Sequence, residues 1–263
     1  MLGRRADHRP IRPPRHHACV AAAIVQVLAD SEARHAADAL GREAGVRAVC
    51  VIGSGARGDF DAASDIDLLA LVDDRATADR VRARFPRAVD ERAIQLKLVT
   101  EAQLTRLFER RSTFGVHVLR EGVAVIDYFG AFEALRACHP RDAPVRNNRE
   151  ELLVRLELYD DIAWCQGLYL YCLADLYSIG RSAAFTVLGR QSRFEFSGTR
   201  AFDRLRREVP QLAPATERIA ELRPFFLLVE RDSRQSLPFP ARDRHDAASA
   251  AVAACHTLVD AIR

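Results

Sequence analysis

The sequence predicts an α+β protein, a small mixed β-sheet domain followed by an all-α helical bundle, on three observations. Between residues 47 and 128, short apolar runs bounded by turn residues alternate with stretches of helical spacing. From residue 149 onward the apolar residues recur at helical spacing only. Between the two, residues 139–148 (HPRDAPVRNN) concentrate Pro, Arg, Asp and Asn and read as a linker. The expected organisation is a disordered basic tail at 1–18, a first domain at 19–138, the linker at 139–148 and a helical domain at 149–263.

Each element has its own signal. Residues 19–44 are alanine-rich with helical spacing, and Gly45 is placed to end that helix. Residues 47–52 form a short buried strand, 53–64 a turn and 65–72 a second strand. Residues 75–85 read as a helix closed by Pro86. In IQLKLV (94–99), Ile94, Leu96 and Leu98 share one face of a strand. Thr100 is a suitable N-cap for a helix over 101–111. A short helix at 116–121 and a last strand at 123–128 complete a sheet with helices on one side. In the second half, one long helix is expected over 149–178, broken at Gly180. Further helices follow at 181–188, 198–209, 213–231 (with Pro224 as a candidate break) and 241–263, a bundle of four or five.

Composition narrows the function classes. The 263 residues are 49% hydrophobic and 29% charged, the balance of a globular protein, and a net charge of +3 excludes a polyelectrolyte binder. Lys97 is the sole lysine; arginine fills the other basic positions, as a GC-rich coding bias would give. No apolar run reaches the roughly 18 residues of a membrane span, and the N-terminal segment lacks the apolar core of a signal peptide, so a cytoplasmic location is expected. That segment carries five arginines, three prolines and three histidines and reads as a floppy tail. The six cysteines form no C-x-x-C pair, so zinc and disulfides are not expected; Cys50, Cys165 and Cys172 lie in apolar runs as buried thiols.

The chemistry concentrates in residues 49–74, VCVIGSGARGDFDAASDIDLLALVDD. An apolar run ends in Gly53-Ser54, and Asp65-Ile66-Asp67 opens the next run about ten residues later. Side chains two apart on a strand point the same way, so Asp65 and Asp67 share a small volume and call for a cation between them. Mg²⁺ suits such a site, because it takes carboxylate oxygens together with substrate phosphates. The Gly53-Ser54 turn offers backbone N–H groups and a hydroxyl to a phosphate.

This pattern resembles the nucleotidyltransferase superfamily of the DNA-polymerase-β type. GSGARGD and SDIDLL are similar to the minimal bacterial nucleotidyltransferases, among them aminoglycoside nucleotidyltransferases and antitoxins that adenylylate partner toxins. The resemblance implies Gly53 and Ser54 at the phosphate turn, Asp65 and Asp67 as catalytic metal ligands, and Arg57-Gly58 and Ser64 in the flanking pattern, with Arg57 and Ser64 nucleotide-binding. It also implies Mg²⁺ as cofactor and a nucleoside triphosphate, ATP first, as substrate. Arg57 has an equal structural reading, a salt bridge to Asp59 or Asp61 that shapes the turn. Asp73 and Asp74 lie past the strand and are read as solvated.

The chain departs from the family at the third carboxylate. The strand that carries it in the family here reads Ile94-Gln95-Leu96-Lys97-Leu98, with Asp90 and Glu91 the nearest acids. Three readings stay open: a base from the helical domain (Asp160 or Asp161), slow one-metal activity, or nucleotide binding without turnover. Lys97 can stand in the place of a metal as a fixed cation; alternatively, Gln95 and Lys97 form the exposed face of an edge strand. A carboxylate near Asp65 and Asp67 favours the enzyme, and Lys97 aimed at them favours the binder.

Arg111 and His117 have the Arg-x₅-His spacing of a toxin RNase family, but in the wrong half of the chain, so His117 reads as packing or surface. The aromatic residues Tyr159, Trp164, Tyr169, Tyr171 and Tyr177 read as bundle core more than as an acceptor-pocket wall. The function expected is transfer of a nucleoside monophosphate, AMP from ATP, to a hydroxyl. The acceptor is an aminoglycoside-like small molecule held by the helical domain, or else a protein or tRNA; no membrane partner is expected. The alternative is a catalytically degenerate protein of the same fold that binds nucleotide or a protein partner.

Overall fold

The computed structural model describes residues 31–59, 64–85, 88–89, 92–165, 167–231 and 236–263. The expected basic tail, the first part of the expected helix 19–44, Cys19, Asp90 and Glu91 lie outside the described residues.

Helix α1 (Ser31–Gly41) leads into strand β1 (Val46–Val51) through a turn in which Gly45 takes φ 86°. A five-residue helix α2 (Gly53–Arg57) starts the segment expected as a plain turn, and β2 (Ile66–Val72) follows. Helix α3 (Arg75–Arg84) crosses over to a two-residue β3 (Ala88–Val89) and to β4 (Arg92–Thr100). The start of α3 corrects one expectation: Asp74 is not merely solvated, because its side chain caps the helix by accepting the Thr77 N–H at 2.7 Å. Helices α4 (Glu101–Glu109) and α5 (Thr113–Glu121), strand β5 (Val123–Asp127) and helix α6 (Ala131–Ala137) complete this half. Thr100 caps α4 as expected, within a capping box shared with Gln103.

The sheet order is β3-β4-β2-β1-β5. Only β2 and β4 run parallel, as the α3 crossover between them requires. Their register sets Asp67 beside Gln95 and Leu69 beside Lys97. The helices do not lie on one side of the sheet. Ala37 and Leu40 of α1 and Val81 of α3 pack with Val49, Leu68 and Ala70 on one face. Leu104 and Phe108 of α4, Leu119 of α5 and Phe132 of α6 pack with Cys50, Leu69 and Leu71 on the other. Coverage on both faces explains why β1 and β2 read as continuous apolar runs instead of alternating ones.

Residues 138–148 contain no helix or strand. Beyond them lie α7 (Arg149–Glu157), α8 (Tyr169–Arg190), α9 (Gly198–Glu208), α10 (Ala213–Ala220), α11 (Arg223–Arg231) and α12 (Arg244–Asp260). These are six helices among the described residues, not four or five. The expected long helix 149–178 is interrupted by a 3₁₀ turn at Ile162–Cys165 and by Gly167 at φ 85°. Gly180 does not break α8. It lies inside that helix because α10 crosses there: a Cβ at Gly180 would stand 2.6 Å from Ile219 Cγ2. Helix α8 is the axis of the bundle, with Leu173, Leu176, Ile179 and Ala183 buried against Phe202, Ile219, Phe225 and Leu258. The described cysteines are free thiols. No described helix is long and apolar enough to cross a membrane.

The two halves are docked. Val116 of α5, Val145 and Phe196 form a buried cluster at the seam, with Phe185 and Phe194 against it. Arg200 of α9 pairs with Asp59 at 3.0 Å.

Candidate active site

Where β1 ends, the chain turns at Gly53 with φ 69°, a left-handed conformation that favours glycine. The turn also needs glycine for space, since a Cβ there would fall 2.3 Å from Asp67 Oδ2. The backbone of β1 and β2 is locked at this point by the Ile52 N–H donating to the Asp67 carbonyl at 3.0 Å. The motif therefore places the phosphate turn directly against the second aspartate.

A cavity of about 320 Å³ opens at this point between the sheet and the helical half. Gly53, Ser54, Arg57, Ser64 and Asp67 from the expected site all line it. Asp65 does not; it is 5% exposed, and one of its oxygens accepts the Gln95 Nε2–H at 2.9 Å. Gln95 and Lys97 line the cavity beside Asp67 and so do not form a solvent face of an edge strand. Lys97 is exposed to the cavity and takes no ion-pair partner among the described residues, so it is not locked onto either aspartate. No group of three His, Cys, Asp or Glu side chains able to hold a metal exists among the described residues. Of the two expected ligands Asp67 alone faces the cavity, and a carboxylate beside this turn is the chemistry that would hold a Mg²⁺ together with substrate phosphates.

Arg57 takes its structural reading. Its guanidinium pairs with Asp59 at 3.3 Å and Glu121 at 3.1 Å. Burial works against the charge, but Glu121 and Asp59 outweigh it and raise the arginine pKa above its usual value. Glu121 also meets His117 Nε2 at 3.1 Å. Burial opposes ionisation of Glu121; His117 and Arg57 overcome it and hold the carboxyl below its usual range. His117 lies in the cavity wall, its ring stacked on Phe196 with centroids 4.9 Å apart. Arg111 is elsewhere, donating to the Pro140 and Pro144 carbonyls at 2.6 and 3.1 Å, so the Arg–His pair is not brought together.

The opposite wall comes from the helical half, and sequence reasoning missed it. Arg181 of α8 enters with its guanidinium carbon 4.7 Å from the Phe226 ring centroid and 5.7 Å from that of Tyr177. Gly198 packs on the arginine stem, where a Cβ would stand 3.1 Å from Arg181 Cδ. Arg223 and Phe226 of α11 complete this side. No local signal marks these residues, because they converge from three separate helices.

A second cavity, of about 460 Å³, shares Gln95, Arg181 and Phe226 with the first. Its wall contains Trp164 and Tyr171, which are 51% and 62% exposed, whereas Tyr159 and Tyr177 are buried core residues that each also border a cavity. Asp175 and Glu230 are its acids. Asp175 pairs with Arg155 and accepts the Tyr159 hydroxyl at 2.7 Å. Burial, then that hydrogen bond, pushes the Tyr159 pKa up. Asp160 and Asp161 are exposed and line neither cavity.

No curated protein matches the chain. Residues 33–118, from α1 through most of α5, match the family model described as a nucleotidyltransferase domain. That span contains the phosphate turn, both aspartates, Gln95 and Lys97. The match and the mixed sheet around the paired aspartates together identify residues 33–118 as a domain of the nucleotidyltransferase superfamily of the DNA-polymerase-β type.

Proposed function

We propose that the chain transfers a nucleoside monophosphate, AMP from ATP, to a hydroxyl of a small-molecule acceptor. The observation that supports this most is a pair of neighbouring cavities that share Gln95, Arg181 and Phe226 in their walls. One contains the phosphate turn and Asp67; the other, across Gln95 and Arg181, has an aromatic and acidic wall. Both volumes fall in the range of small-molecule sites. In this reading the triphosphate would lie along Gly53 and Ser54, and Mg²⁺ would be held by Asp67 with Asp65 beside it. The metal supplies charge stabilisation at the α-phosphate. Arg181, held by its aromatic stack, faces the triphosphate from the helical side. Arg57 keeps the turn in shape through Asp59 and Glu121 instead of contacting phosphate.

The acceptor oxygen bonds to the α-phosphorus while the bond from that phosphorus to the bridging oxygen breaks. Pyrophosphate leaves with the electron pair. The hydroxyl proton passes to a base of the groove, for which Asp175 is the candidate from the helical half in place of Asp160 and Asp161. An aminoglycoside-like alcohol suits a wall of Trp164, Tyr171, Asp175 and Glu230; a protein or tRNA acceptor would have to present its hydroxyl at the same opening.

The test is calorimetric binding of ATP, GTP, CTP and UTP with and without Mg²⁺, on wild type and on a folded Asp65→Asn/Asp67→Asn variant. Mg²⁺-dependent binding that the variant loses is expected. Binding that ignores both metal and mutation removes the enzyme reading. The second reading, nucleotide binding without turnover, draws on Lys97 in the third acid's place; against it, Lys97 is not paired with the aspartates. Release of pyrophosphate separates the two.

A further inference from the structure

Lys97 is the one lysine in a chain that otherwise uses arginine at every basic position, and it projects into the cavity that contains Asp67, Gly53 and Ser54. Strand register puts it two pairs beyond Asp67 and Gln95, and so on the same face of the sheet. Its neighbour on that face, Gln95, spends its amide on Asp65, so neither β4 side chain offers a carboxylate to a cation. An ammonium is a compact, strongly hydrated point charge, nearer to a metal ion in size and hydration than a planar guanidinium is. Lys97 is exposed and lines the cavity, within reach of a ligand held there.

We propose that Lys97 makes this a one-metal nucleotide site: its ammonium supplies, as a fixed part of the protein, the positive charge that a second carboxylate-held cation would bring. The inference rests on the nucleotide reading above but not on turnover. Beside Asp67 the cavity wall carries Lys97, Arg181 and Arg223, a balance too positive to gather two divalent ions but open to one that arrives with a triphosphate. A guanidinium at 97 would spread the same charge over a larger, flatter group, so the Lys97→Arg variant separates charge from shape.

The experiment is a Mn²⁺ titration followed by electron paramagnetic resonance, on the full chain with α,β-methylene-ATP. The wild type is expected to bind one Mn²⁺ per chain. Lys97→Glu should bind two. Lys97→Met should keep one Mn²⁺ but bind the analogue at least about tenfold more weakly, the order of one lost charge-assisted contact. Lys97→Arg should fall between wild type and Lys97→Met. Two Mn²⁺ per wild-type chain, or unchanged analogue affinity in Lys97→Met, overturns the assignment while leaving the nucleotide reading intact. No analogue binding by the wild type overturns both. Lys97 is exposed, so its variants should fold, and matching melting curves check this.

Discussion

The two walls of the central cavity are built by different means. The sheet wall is local: Gly53, Ser54, Ser64 and Asp67 lie within fifteen residues of chain, and one antiparallel pairing of β1 with β2 brings them together. The helical wall is assembled at a distance: Arg181, Gly198, Arg223 and Phe226 come from three helices and meet only because the bundle packs around α8. The sheet wall presents Asp67 and Lys97 beside a glycine turn; the helical wall presents Arg181 and Arg223 among aromatic rings, with Arg181 over Tyr177 and Phe226. Chemistry shared across a family can be fixed on the first kind of wall while acceptor choice varies on the second, because changing a helix packing does not disturb a strand register.

The largest expected effect is on the sheet wall. Asp67→Asn should lower nucleotidyl transfer by on the order of 10²–10³-fold or more, the scale of losing one preorganised electrostatic group. Its melting temperature should stay near wild type; a variant that melts far lower would make Asp67 structural. Next is the helical wall. Gly180→Leu drives a side chain into Ile219 and should cost about 1–3 kcal/mol of stability, read by denaturant unfolding. Mg²⁺-dependent nucleotide affinity should fall with it only if the helical wall contacts nucleotide, which would sharpen the role given to Arg181.

A smaller effect should come from the seam between walls. Glu121 has a depressed pKa, so it contributes stability that is present above its unfolded value of about 4.3 and is lost as pH falls through its lower folded value. Between about pH 5 and 3 the wild type should lose stability more steeply than Glu121→Gln, measured by urea unfolding across that window. Equal slopes would mean that Glu121 does not hold the Arg57–His117 cluster. The smallest effect belongs to Arg200→Ala. Its bond to Asp59 is half-exposed and should change stability by about 0–1 kcal/mol. A larger loss, seen by thermal melting, would show that this bridge is what keeps the halves docked.

Much of the sheet half is legible in the sequence because its signals are short-range. The apolar runs at β1 and β2, the Thr100 cap and the spacing from Gly53 to Asp67 each depend on neighbours a few residues away. The side on which the helices lie was misread for a physical reason. Continuous apolar strands mean burial on both faces, and the signal was present in VCVI and DLLALV. Asp74 was misjudged because an N-cap is recognised by the helix after it, not by the strand before it. Gly180 reads as a breaker in the sequence because a close helix crossing and a helix end use the same residue.

The α+β class, the glycine turn at Gly53 and its closeness to Asp67 were legible from the sequence, since strand alternation and a glycine turn are local rules. Tertiary structure alone decided that Arg57 is spent on Glu121 and Asp59, that Gln95 is spent on Asp65, and that Lys97 is left facing the cavity. It also decided that Arg181 stands in the walls of both cavities and that Asp175, not Asp160 or Asp161, faces the second. Each of these depends on which long side chain reaches which partner across tens of residues of chain, and only the packed fold sets those distances.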